Sequence, residues 1–242
     1  IAIGEKGEPL LKVIDSCNEV CLKVISTVMY FTPIGVFCTI VPVVEANGTS
    51  TIVSLATQLI ILYVAFYGFA FIVYGGAVKF LGKTSPFKFF RAIMPAALNA
   101  FGTCSSSATI PISKSCVENE LGVSNQIFSI AIPLGATVNM DAVSIVMSFM
   151  IMFFANACGV NVSVSMMIII LLANVLLSVG TPGIPGGAIA SFAALATMAG
   201  LPAGVMGVYI SINTLCDMGA TCVNVIGDMA GCVVLQEKID LK

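Results

Sequence analysis

Residues 217–231 read DMGATCVNVIGDMAG, two aspartates eleven positions apart inside an otherwise apolar stretch. On a helix advancing about 100° per residue, Asn213, Asp217, Thr221, Asn224 and Asp228 fall within one stripe narrower than a quarter turn. No Lys or Arg lies between Ser115 and Glu237 to pair with either acid. The surroundings of this helix decide what kind of molecule carries it.

Working outward, the chain has 242 residues, 58% of them hydrophobic and 9% charged, with a mean hydropathy of +1.07. A water-soluble surface needs far more charge, so the composition implies an all-α membrane protein. Charge-free runs cover 24–44, 46–78 and 92–113, and no Asp, Glu, Lys or Arg occurs from 142 to 216. Since about 20 apolar helical residues cross a bilayer, these runs supply several spans, and the longest must fold back on itself. The net charge of −2 says little about partners; its placement says more. Lys12 and Lys23 precede the first span, Lys79, Lys83, Lys88 and Arg91 follow the second, and Lys238 and Lys242 close the chain. By the positive-inside rule these places, the C-terminus included, are cytoplasmic. The nine cysteines form no CxxC pair and are expected to act as small buried hydrophobes. With no histidine, a His-based proton relay is excluded. Neither an organic cofactor nor a nucleic-acid partner is expected.

Residues 8–23 form an amphipathic stretch at the cytoplasmic interface that feeds a span through about Val44, with Pro33 as a kink. EANGTS, 45–50, is an external turn, and a second span runs to about Phe80. From Ala92 the apolar segment is crowded with Asn99, Gly102, Thr103, Ser105, Ser106, Ser107, Thr109 and Pro111. If both flanks are cytoplasmic, it is a re-entrant hairpin, about 86–120, with its tip at CSSSATIP. The next helix, about 123–157, carries Pro133, Gly135, Asn139 and Asp141 near its midpoint, which predicts a break freeing carbonyls at 135–139. Backbone opened at bilayer depth must be satisfied by protein, ions or water. A second hairpin, about 161–201, opens from the external side, because SVGTPGIPGGA at 178–188 cannot continue a helix. The last helix spans about 203–236.

A broken hairpin followed by a polar-centred helix thus occurs twice, entering from opposite faces. Matched Gly/Pro interruptions in two inverted halves point to a transporter binding site at their junction. A centred Asp costs about 2.5–3.5 kcal/mol to insert, so cations, protonation or a polar ligand must compensate. Eleven residues at 1.5 Å rise place Asp217 and Asp228 about 16 Å apart, too far to share one ligand. Asp141 adds a third intramembrane acid. Hard cations take oxygen ligands, and the broken helix offers carbonyls near Gly135 and Asn139 and the Thr137 hydroxyl. Sodium is the favoured ion, with a carboxylate proton carrier as the alternative. At the first hairpin tip, Ser105, Ser106 and Ser107 hold an anionic carboxylate through amides and hydroxyls, while Asp217 neutralises an ammonium. One fixed negative charge with aimed donors suits a zwitterionic amino acid.

CSSSATIP at 104–111, NMD at 139–141, GTPGIPGG at 180–187 and DMGATCVNVIGD at 217–228, in this order and spacing, resemble the dicarboxylate/amino acid:cation symporter family, which includes glutamate and neutral amino acid transporters. The resemblance implies a homotrimer in the plasma or inner membrane, with eight transmembrane helices and two re-entrant hairpins per protomer. An elevator-like transport domain would carry substrate and sodium past a trimerisation scaffold. It places residues 1–81 on the scaffold side as the fifth and sixth helices, and 82–242 in the transport domain. On this reading the first four helices and one side of a sodium site are missing.

By matching position, Ser106 and Ser107 and the loop of Pro182, Gly183, Ile184, Pro185, Gly186 and Gly187 would enclose the substrate. Asp217 would bind its ammonium with help from Thr221, and Asn224 its carboxylate. One sodium site would use Gly135, Asn139, Asn224 and Asp228; a second Thr137, Ser178, Val179 and Thr181; a third Asn139 and Asp141. Acidic amino acid carriers of the family place an Arg where this chain has Ala220. A bidentate guanidinium is hard to replace for a second carboxylate, so a neutral amino acid is the expected substrate, with an acidic amino acid or dicarboxylate as the alternative. Val143 stands where a substrate-contacting Thr is frequent, and Cys104 occupies a position that is sometimes Arg. From a different class, an intramembrane aspartyl protease would pair Asp141 with Asp228, but its GxGD signature is absent, because Val225 and Ile226 precede Gly227 and Asp228.

Overall fold

The computed structural model describes residues 8–31, 34–35, 37–38, 41, 45 and 49–239. Among these residues every regular element is helical. The helices are α1 (Glu8–Met29), α2 (Thr49–Phe69), continued by a π turn (Ala70–Tyr74) into α3 (Gly75–Phe80), α4 (Pro86–Thr103), α5 (Ser106–Asn119) and α6 (Asn125–Val138). They are followed by α7 (Asp141–Ala157), α8 (Val164–Val179), α9 (Ala188–Met198) and α10 (Val205–Lys238). Among the described residues three stretches, Val53–Phe80, Asn125–Ala157 and Val205–Lys238, are long and apolar enough to cross a membrane. The expected first span, through about Val44, lies largely outside the described residues, as does the kink at Pro33. Every described side chain of α1 is exposed.

Helix α10 is the axis of the bundle. Twelve consecutive residues, Gly219 to Ala230, are buried, which a helix achieves only when neighbours surround it on all sides. Helices α4, α6 and α7 take most of that surface, with α2 and the π turn on the remaining side. Because lipid tails are as apolar as Leu, packing and close approach rather than water exclusion hold such helices together. Two glycines of α10 let α2 and its continuation approach. A Cβ on Gly219 would stand 2.8 Å from Phe66 Cδ2, and one on Gly227 would stand 2.5 Å from Tyr74 Oη.

The π turn keeps that contact in register. Leu62, Phe66, Ala70, Tyr74 and Val78 are all buried at every fourth position. In a regular α-helix sixteen residues drift about 160° off the starting face. A π bulge inserts one residue, about 100° of turn, and so returns Tyr74 and Val78 toward the side that carries Phe66.

The two interrupted segments form helix–turn–helix pairs, and the breaks differ from expectation in detail. In the first pair the turn is only Cys104 and Ser105; Ser106 to Pro111, expected at the tip, already belong to α5. Ser105 caps α5, its hydroxyl accepting from the Ala108 amide at 3.1 Å, which replaces one orphan partner of the first turn. The expected break at 135–139 instead falls at Asn139 and Met140: the Asn139 amide still donates to the Gly135 carbonyl at 2.8 Å, and the Met140 amide turns to Val138. Gly180–Gly187 interrupts the second pair as its glycines and prolines demand. Cys104, Cys116, Cys216, Cys222 and Cys232 are buried free thiols, but Cys17, Cys38 and Cys158 are exposed, so the cysteines are not uniformly core residues.

Candidate functional site

The tips of the two helix pairs meet. At the first tip, Cys104 ends α4 in the left-handed region, φ 50°, a conformation costing a non-glycine residue about 1–2 kcal/mol. That turn aims Ser105 and Ser107 across the gap: the Ser105 hydroxyl and the Ser107 amide donate to the Gly183 carbonyl at 3.0 and 3.2 Å. Each tip is also braced internally. Thr109 Oγ1 donates to Asn99 Oδ1 at 3.1 Å between α4 and α5, and Thr181 and Ser191 share a hydroxyl contact at 3.1 Å between the arms of the second pair. Gly183 sits where a side chain would collide, since a Cβ there would lie 2.4 Å from the Ala136 carbonyl.

Asp217 anchors the other end of the same loop. Its Oδ2 accepts the Gly186 amide at 2.9 Å, and its Oδ1 accepts the Thr221 hydroxyl at 3.2 Å. Between the tips and α10 lies a space of about 10 Å³, room for about one water-sized particle. Ser106, Pro182, Gly183, Ile184, Asp217, Thr221 and Asn224, all expected at a substrate site, line it. Ser105, Ser107 and Gly186 stand at its edge through the bonds just described. Ala220 and Pro185 do not line it, and Ala220 is buried. Cys104, Met140, Val143, Thr181 and Ala188 complete the wall. Met140 and Ala188 were not anticipated, because an apolar residue carries no sign of lining a site until the chain is folded.

A second polar cluster lies farther along α10. Asn139, exposed to the α10 face by the break, donates from Nδ2 to Asp228 Oδ1 at 2.9 Å and to the Asn224 carbonyl at 3.0 Å. Asn224 Oδ1 in turn accepts the Ala142 amide at 2.9 Å, capping the start of α7. Gly135 borders the same carboxylate so closely that a Cβ would stand 2.4 Å from Asp228 Oδ1. Gly135, Asn139, Asn224 and Asp228 are therefore brought together. Their carboxylate, carbonyl and amide oxygens are the donor chemistry a hard cation takes.

Asp141 is exposed and has a partner that sequence reasoning missed. The Tyr74 hydroxyl donates to Asp141 Oδ2 at 2.8 Å. A tyrosine in an apolar run gives no hint of this, and only the every-fourth-residue burial pattern points to a π turn. The hydroxyls of the other expected cation set are not joined: Thr137 bonds back to the Leu134 carbonyl at 2.9 Å, Ser178 to Val175 at 2.9 Å and Thr181 to Leu177 at 2.9 Å. Among the described residues no hydrogen bond links Thr137 to the second pair, and Val179 is exposed.

Residues 1–238 match the sodium:dicarboxylate symporter family. The chain is similar to neutral amino acid transporter B(0) of Oryctolagus cuniculus, 29% identical over 240 residues, covering 98% of this chain and 44% of that protein. It is also similar to neutral amino acid transporter A of Homo sapiens, 30% identical over 96% of this chain and 44% of that protein. An excitatory amino acid transporter of Caenorhabditis elegans is 28% identical over 99% of this chain and 48% of its own length. The chain thus spans less than half the length of these relatives.

Proposed function

Because this chain belongs to the sodium:dicarboxylate symporter family, an integral multi-pass membrane family, we propose that it forms the substrate- and ion-binding part of a sodium-coupled symporter for a neutral amino acid. The observation that carries the reading is the pairing at the tips: one carboxylate, Asp217, accepts an N–H, while a hydroxyl and an amide of the first tip donate to a carbonyl. An amino acid presents the same two functions, an ammonium for Asp217 and a carboxylate for the serine tip. The Gly183–Gly186 loop supplies both in its place and fills the space, so the loop must lift for substrate to enter. Gly135, Asn139, Asn224 and Asp228 then hold one sodium ion. The second set, Thr137, Ser178, Val179 and Thr181, forms its site only once their hydroxyls rotate away from their own helices.

A family of symporters gives the protease alternative no support, and each acid has its own partner, Tyr74 for Asp141 and Asn139 for Asp228. The helix pairs re-enter the bilayer from opposite faces, the C-terminus is cytoplasmic, and the whole protein is a homotrimer moving its transport domain as an elevator. The fit of Phe66 and Tyr74 against Gly219 and Gly227 supports assigning residues 49–80 to the moving unit, whereas the family resemblance alone puts residues 1–81 on the scaffold side. Ala220 favours a neutral substrate over the acidic alternative, since no guanidinium stands near the pocket.

The test is a thermal-shift panel of neutral amino acids and aspartate on the full-length protein, in sodium and in choline. Stabilisation that needs a neutral amino acid and sodium together supports the reading. Stabilisation by aspartate alone among the panel overturns the substrate, and no sodium dependence overturns the coupling.

A further inference from the structure

The role of Tyr74 follows from two side chains that meet over one glycine and from the carboxylates they hold. Its ring is buried, 7% exposed, and its hydroxyl bonds Asp141 Oδ2. A Cβ on Gly227 would lie 2.5 Å from Tyr74 Oη and 2.6 Å from Asn139 Nδ2, so phenol and amide meet over the same bare backbone. Asn139 in turn reaches Asp228 Oδ1. Two carboxylates on different helices are thereby joined to one polar seam: Asp141 to Tyr74, Tyr74 beside Asn139 across Gly227, and Asn139 to Asp228.

We propose that Tyr74 is a positioning residue for cation binding, holding the Asp141 carboxylate by one oxygen and tying its orientation to the Asn139–Asp228 site. The inference rests on the reading of these acids as sodium ligands. A phenol that donates to Oδ2 fixes the carboxylate rotamer and leaves Oδ1 to face a cation. A charge-assisted hydrogen bond of this kind is stronger than a neutral one. Seating a cation on Asp228 restrains the Asn139 amide, and through Gly227 that restraint reaches the phenol, so the two acids do not fill independently. The placement depends on the π turn: in an unbroken α-helix the residue at 74 would be rotated about 100° away from α10.

The test uses the full-length protein, titrated with sodium chloride against choline chloride and read by thermal shift with saturating L-alanine, or whichever neutral amino acid the panel above identifies. Tyr74→Phe keeps the ring and deletes the donor. The expected result is a sodium midpoint raised about tenfold, with a shallower curve, while the unfolding temperature in choline and the amino acid affinity at saturating sodium stay at the parent values. In an Asp141→Asn background, Tyr74→Phe should then shift the midpoint no further. A parent-like sodium curve for Tyr74→Phe overturns the proposal, as does an undiminished shift in the Asp141→Asn background. Loss of folding in Tyr74→Phe also overturns it, in favour of a structural role. If the parent protein shows no sodium dependence, it is the symporter reading that fails.

Discussion

The Gly186 amide donates to Asp217 Oδ2 at 2.9 Å, so the tip of one helical hairpin is held by the carboxylate that the sequence reserves for a ligand. On the proposed reading Asp217 is both a gate contact and a recognition group, and the two roles separate by substitution. Asp217→Asn keeps an oxygen acceptor for Gly186 but removes the charge an ammonium needs. Neutral amino acid affinity at saturating sodium should fall about 10- to 100-fold, with the unfolding temperature in ligand-free buffer little changed. Calorimetric titration of the full-length variant checks this; affinity within twofold of the parent would remove Asp217 from the substrate site.

Gly183 is a position where the second tip tolerates no side chain because of a neighbouring helix. A Cβ there would meet the Ala136 carbonyl at 2.4 Å, and a backbone oxygen in a helix has little freedom to step aside. Gly183→Ala should therefore lift the tip and break its bonds to Ser105 and Ser107. Cys104, 2% exposed, lines the space beneath. Its alkylation by a small maleimide, mapped by mass spectrometry to separate it from exposed Cys17, Cys38 and Cys158, should accelerate severalfold. An unchanged rate would show that the tip does not seal the pocket.

Ser105 serves two elements at once, capping α5 through Ala108 and holding Gly183. Loss of such a cap costs about 1 kcal/mol. Ser105→Ala should lower stability by about that amount and also raise Cys104 labelling. Ser105→Thr, which retains the hydroxyl, should restore both. Denaturation and labelling rates on the same preparations decide it, and a stability loss without any change in labelling would confine Ser105 to capping.

The contact between Phe66 and Gly219 sets how closely α2 lies on α10. Gly219→Ala places a methyl 2.8 Å from the ring and should destabilise by about 1–3 kcal/mol. Phe66→Leu, which makes room, should recover part of that loss in the double variant, giving a non-additive cycle. Additive losses measured by thermal unfolding would mean that the two residues do not bear on each other.

Much of the candidate site was readable before folding. Asp217, Thr221, Asn224 and Asp228 share a face because helical periodicity alone puts them there, and eleven residues of rise keep the two acids about 16 Å apart, where Asp217 meets Gly186 and Asp228 meets Asn139. The breaks at 104–105 and 180–187 follow from residues that cannot continue a helix. Position within a break was less legible: Pro133 and Gly135 predicted an opening at 135–139, yet α6 absorbs both and yields at Asn139 and Met140, where Asn139 gains Asp228 and Asn224 as partners. Tyr74 was invisible, since a π turn is chosen by packing against α10 and leaves no composition of its own.

Composition by itself determined that the chain is a bundle of membrane helices, because apolar runs without charge have no stable place in water. Spacing by itself determined which polar residues share a helix face, because a helix has only one pitch. The tertiary structure alone decided which partners those residues hold: that Gly186 takes Asp217, that Tyr74 takes Asp141, and that the Thr137 and Ser178 hydroxyls turn back to their own helices. A hydrogen bond depends on fractions of an ångström between atoms brought together from distant parts of the chain, and local periodicity carries no record of that approach.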